Sequence, residues 1–139
     1  MVATFNMDYH VCTAYHSKYS VTIRYHEIRG EGSMTEYIQV LTTVEHKTDA
    51  EKIAKSIVEK RLAACVQILG PLTSYFHWQG KLDSAVEYLC LIKSRADLFT
   101  ELEAEITSQH PYEVPEILAT PITEGSKDYL NWLAAELEA

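Results

Sequence analysis

From Glu36 onward the apolar residues change spacing from every second position to every third and fourth and back again, and they do so twice. That repeated switch between strand and helix periods restricts the fold more than any other feature of the chain. Glu36 to Val44, rich in β-branched and apolar residues, predicts a first strand. Thr48-Asp49-Ala50-Glu51 matches the S/T-x-x-E capping box and predicts a helix start. Ala50, Ile53, Ala54, Ile57, Val58 and Leu62 then share one face, with Lys52, Lys55, Glu59 and Lys60 outside. Ala63 to Leu69 predicts a buried strand ended by a turn at Gly70-Pro71. Leu72 to Trp78, a reversal at Gln79-Gly80 and Glu87 to Lys93 predict an antiparallel ribbon. Ser94 is the expected N-cap of a second helix carrying Leu98, Phe99, Leu102 and Ile106, which Pro111 stops. Glu116 to Ile122 predicts a last strand, and Ser126 caps a final helix with Leu130, Leu133, Ala134 and Leu137 on one face.

The expected fold is therefore α+β: a ferredoxin-like βαββαβ antiparallel sheet with an extended β-hairpin and a C-terminal helix. Right-handed crossovers put both connecting helices on one face of the sheet. The opposite face is apolar and is expected to lack a second layer, so self-association into a closed cyclic oligomer should cover it.

Charge narrows the partners. Twenty Asp and Glu against twelve Lys and Arg give −8 over 139 residues, which argues against nucleic acid and anionic membranes as partners. No uncharged apolar run approaches the roughly 18 to 20 residues of a membrane span, and a cytoplasmic protein is expected. Cys12, Cys65 and Cys90 are odd in number and lack C-x-x-C spacing, so free thiols are expected. Residues 1–33 balance Lys18, Arg24 and Arg29 against Asp8, Glu27 and Glu31, leaving the whole −8 to residues 34–139. The N-terminal stretch holds three of the six histidines, His10, His16 and His26, at spacings that match no local ligand motif. It reads as a vector-derived leader joined at Gly32-Ser33 or as a native extension adding an edge strand, with Val21 to His26 alternating as a strand would. Residues 34–139 read as one domain.

Three stretches carry chemistry. Cys65, at a helix-to-strand transition, is either a small core residue or a soft-metal ligand; Cys90, between Leu89 and Leu91, reads as core. Tyr75, Phe76, His77 and Trp78 crowd the ribbon, where Trp78 suits an oligomer anchor or a ligand platform and His77 reads as a surface residue. Gln109-His110-Pro111-Tyr112-Glu113-Val114-Pro115-Glu116 uses two prolines to hold an imidazole, a phenol and two carboxylates in a restricted arc. It is either a binding loop or a helix stop, and as a binding loop it offers His110 nitrogen and Glu113 or Glu116 oxygen to a divalent ion. A Cys65–His110 nucleophile and base is conceivable, but no oxyanion motif, phosphate loop or metal-hydrolase spacing accompanies it, so no enzyme activity is expected.

Taken in order, Arg61-Leu62-Ala63-Ala64-Cys65, Ser74 through Trp78-Gln79-Gly80-Lys81, Glu87 with Lys93, His110 through Glu116, and Tyr129-Leu130-Asn131-Trp132 resemble the CutA family of divalent-cation tolerance proteins. The resemblance runs from Ile38 to Leu137. It implies a homotrimer, links to metal-ion tolerance, and weak binding of a divalent metal, copper or zinc, at His110, Glu113 and Cys65. The likeness of such trimers to PII signalling proteins implies an alternative, a small-ligand cleft between subunits near Trp78, Lys93, Tyr112 and Glu87. Copper ligands proposed for bacterial relatives are replaced here by Thr42 and Gln109, which leaves His110 alone and implies weaker copper affinity.

Overall fold

The computed structural model describes residues 3–6, 11–16, 19–24 and 36–138, in two units, Met1–Gly32 and Ser33–Ala139. In the first unit, β1 (Ala3–Asn6), β2 (Val11–His16) and β3 (Tyr19–Arg24) form an antiparallel sheet in the order β1-β2-β3. The strand expected from Val21 is β3. These three strands pair with one another. His10, His26 and the Gly30–Met34 junction lie outside the described residues.

The second unit follows the expected order. Its elements are β4 (Tyr37–Val44), α1 (Lys47–Glu59), β5 (Cys65–Trp78), β6 (Lys81–Arg95), α2 (Phe99–Gln109), β7 (Leu118–Pro121) and α3 (Lys127–Leu137). The sheet is antiparallel in the order β5-β6-β4-β7, with the first and third strands of the unit adjacent at its centre. Period-two patterning sends Ile38, Val40, Thr42 and Val44 of β4 and Cys90, Ile92 and Ser94 of β6 to one buried side. There they meet Ala50, Ile53 and Ile57 of α1 and Leu102 and Ile106 of α2. Val58, expected on the inner face of α1, is 40% exposed. Ser56 and Lys60 both donate to Glu105 at 2.6 Å, joining α1 to α2.

Four local expectations are corrected. Thr48 is not a cap: α1 begins at Lys47, His46 occupies the N-cap without a side-chain bond, and the first turn closes through Asp49 and Ala50 N–H onto the His46 carbonyl. Ser94 does not start a helix either, because β6 runs on to Arg95 and the buried Ser94 hydroxyl donates to the Leu62 carbonyl at 2.6 Å. Gly70-Pro71 is not a turn but a bulge, with the register shifting between Leu69 and Leu72, so β5 stays paired with β6 along its whole length. The reversal between β5 and β6 lies at Gln79-Gly80, both at positive φ.

The fourth correction concerns the opposite face, where Leu41, Leu91 and Gln67 align across three strands and Leu69 pairs with Leu89. A second layer was not expected, yet α3 packs on β6 and buries Leu133 and Leu137, which lie outside the cluster beneath α1 and α2. Burial, with a smaller effect of Cys65, raises the Tyr129 hydroxyl above its ordinary pKa, and Cys65 is the cross-strand partner of Lys93. Arg61 Nη1 donates to the Glu136 carbonyl at 2.8 Å and secures the far end of α3. Leu69, at 45% exposure, and Leu118, at 55%, remain open.

Gly70 has φ +147°, and a Cβ there would lie 2.9 Å from the Glu87 carbonyl oxygen and from Tyr88 Cδ1. Gly70→Ala should therefore cost about 1–3 kcal/mol, read as a lower urea midpoint at fixed protein concentration. A midpoint unchanged within error would show that the bulge relaxes freely.

Candidate functional site

His110 follows α2 as its C-cap, with ψ 134°, because Pro111 forces the preceding residue out of the helical region. This turns the imidazole back onto the end of β4. Its Nε2 lies 3.1 Å from both the Thr43 carbonyl oxygen and Thr42 Oγ1. Its Nδ1 accepts the Tyr112 backbone N–H at 3.1 Å. An accepting Nδ1 places the ring proton on Nε2, where it is shared between the two threonine oxygens. Burial holds the imidazole below its ordinary pKa, in keeping with a neutral ring. Neither nitrogen has a free lone pair.

From His110 the chain of contacts continues outward. The His110 and Tyr112 rings meet edge-on, with centroids 5.1 Å apart. The Tyr112 hydroxyl donates to Glu87 Oε1 at 2.8 Å, and burial together with Glu87 pushes that hydroxyl above its ordinary pKa. Glu87 itself is 5% exposed. This rail anchors the 110–116 loop beside the β5–β6 ribbon and opens a cleft of about 1500 Å³. Trp78, Tyr75 and Glu87 line it from the ribbon, Tyr112, Glu113 and Glu116 from the loop, and Glu45, His46, Lys47 and Thr48 from the start of α1.

The residues singled out from the sequence divide accordingly. Trp78, Glu87 and Tyr112 share the cleft with Glu113. Lys93 does not: it pairs with Cys65 and donates to Gln67 Oε1 on the α3 side of the sheet. Cys65 is likewise apart. It pairs with Lys93, which pairs with Gln39, so it lies two strands, or about 10 Å, across from β4 and toward the other end from His110. His110, Glu113 and Cys65 are thus not brought together within one chain, and among the described residues no three His, Cys, Asp or Glu side chains are grouped to hold a metal. Gln109, at the replaced histidine position, turns to Glu105 instead. Cys90 is core, its thiol pushed up to about 11 by burial, and His77 is exposed. The α1-side wall escaped the sequence reading because Glu45 and His46 look like an ordinary connection. Their one signal is position, directly between a strand and a helix.

Comparison with known proteins agrees with this architecture. The family model described as CutA1 divalent ion tolerance protein matches residues 38–136. The chain is 48% identical over 94 residues to the divalent-cation tolerance protein CutA of Thermus thermophilus, covering 68% of this chain and 91% of the relative. It is 44% identical over 96 residues to the chloroplastic CutA protein of Arabidopsis thaliana, covering 69% of this chain and 53% of the relative. Among solved structures, CutA from Xylella fastidiosa aligns with a TM-score of 0.72 at 32% identity, over 74% of this chain and 99% of that one. CutA from Archaeoglobus fulgidus aligns at 0.71 and 38% identity, over 73% and 99%. The Arabidopsis relative is named chloroplastic and the Archaeoglobus one periplasmic, so a cytoplasmic location does not follow from the family. No helix among the described residues is long and apolar enough to cross a membrane. Sequence match and shared βαββαβ architecture together make this chain a member of the CutA1 family of divalent ion tolerance proteins.

Proposed function

We propose that the protein is a non-catalytic homotrimer that binds divalent cations weakly at the rim of the acidic cleft rather than at His110. The observation that carries this reading is the lining of the cleft. Glu45, Asp83, Glu87, Glu113 and Glu116 line one opening beside His46 and Lys47; among the described residues no three of them are grouped as a ligand set within one chain, so the binding is weak, and carboxylate oxygen suits hard and borderline cations. His110 contributes indirectly, by fixing the loop that carries Glu113. Calorimetry with Zn(II) and Cu(II) should find binding only a few-fold weaker in His110→Ala, through the loosened loop, and at least tenfold weaker in Glu113→Gln/Glu116→Gln. Loss of binding in a folded His110→Ala protein would return the site to the imidazole.

The homotrimer rests on the apolar surface that α3 leaves open and on the ribbon aromatics, with Tyr75 at 74% and Trp78 at 55% exposure. Partner copies would bury both. Sedimentation equilibrium should give three times the chain mass at micromolar concentration, and a stable monomer would reject the assembly.

A second reading, a small-ligand module with its cleft completed between subunits, is favoured by the convergence of Trp78, Glu87 and Tyr112. A ligand specific for the folded state should raise the melting temperature in a metabolite screen.

The bonded, neutral state of His110 also sets a pH dependence. Its folded pKa is depressed by burial, so its stabilising contribution is fully present above the ordinary value of about 6.5 and is lost as pH falls through the folded value. Protonation of Nδ1 would set an N–H against the Tyr112 N–H. Unfolding free energy should therefore fall more steeply below pH 6.5 in the wild type than in His110→Asn; equal slopes would contradict this.

A further inference from the structure

Glu87 has the deepest burial of any charged side chain among the described residues, yet only one of its carboxylate oxygens is satisfied. Oε1 accepts the Tyr112 hydroxyl, whereas Oε2 has neither a hydrogen-bond nor an ion-pair partner among the described residues. A carboxylate removed from water needs its remaining lone pairs met by donors. Tyr112, already committed to Oε1, does not serve both. Because Glu87 lines the cleft, the missing donor has a route in from there.

The surroundings specify its charge and shape. Glu45, Asp83, Glu113 and Glu116 line the same opening and repel phosphates and carboxylates, which disfavours nucleotides and organic acids. Tyr75, Phe76 and Trp78 supply aromatic faces along the ribbon. Such faces attract a weakly hydrated organic cation and its carbon stem. We propose that the cleft binds an organic cation bearing a protonated amine or guanidinium, with its N–H groups donating to Glu87 Oε2 and its aliphatic part lying against Trp78. This inference rests on the small-ligand reading of the cleft and names the class of ligand.

The test is calorimetric titration of the full chain with butane-1,4-diamine and with butylguanidinium, with butyrate and tetramethylammonium as controls. Saturable binding of both N–H cations is expected, at least tenfold weaker in Glu87→Gln, with tetramethylammonium markedly weaker and butyrate silent. Gln keeps an acceptor for Tyr112, and a melting curve checks that this variant folds. Should it not fold, Trp78→Ala keeps the test open in a sample whose sedimentation matches the wild type, with severalfold weaker binding expected. Absent binding, equal binding by Glu87→Gln, or equal binding of butyrate would overturn the proposal. If the diamine fails to bind and Glu87→Gln instead loosens self-association in sedimentation velocity, the donor is a Lys or Arg of a second copy and the free-ligand form is overturned. Zinc titration of the same samples keeps the readings distinct: zinc binding without diamine binding removes this inference alone, and the reverse removes the metal reading alone.

Discussion

Alternating residues of β4 and β6 turn Ile38, Val40, Thr42, Val44, Cys90, Ile92 and Ser94 to one side of the sheet, where α1 and α2 close over them. This one-sided burial governs the rest of the second unit. It commits both crossover helices to a single layer and leaves α3 to cover what it can of the other face. The ribbon beyond the bulge then projects with its aromatics exposed. Burying a few apolar residues of about 2 kcal/mol each stabilises the inner face, and nothing comparable among the described residues of the second unit covers Leu69, Leu118 or the ribbon.

The same burial explains why the loop after α2 is ordered where it is. Thr42, fully buried, and the carbonyl of Thr43 leave the β4 edge polar just where β7 pairing has stopped at Leu41. His110 meets both, Tyr112 N–H meets His110, and the Tyr112 hydroxyl meets Glu87. Both imidazole nitrogens are engaged along this rail, so it orders the loop at the expense of the imidazole as a ligand. The groups this rail presents at the cleft are the carboxylates of Glu87 and Glu113, to which the proposed reading assigns binding.

Much of the architecture was legible as period and punctuation. Strands around Tyr37–Val44 and Glu87–Lys93, the inner faces of α1 and α2, the reversal at Gln79-Gly80 and the stop at Pro111 all follow from residue spacing and proline geometry. Errors arose where two local motifs compete. Thr48-x-x-Glu51 resembles a cap, but the chain already turns helical at Lys47. Ser94 resembles a cap too, but pairing with Ile38 keeps it in β6. Gly70-Pro71 resembles a turn, yet cross-strand pairing on both sides absorbs it as a bulge.

Residue order alone determined which segments become strands and helices and which loop is stiff, because those depend on backbone preferences and on the period of apolar positions. It also carried the family resemblance, which runs through the 110–116 loop. Only the tertiary structure decided which of the chemically capable side chains share a space. His110 and Cys65 end on different parts of the sheet, Lys93 faces α3, and Glu87 comes to Tyr112 across 25 residues of sequence. The reason is that register and layer order, which arise from long-range pairing, set side-chain proximity, and no local spacing encodes them.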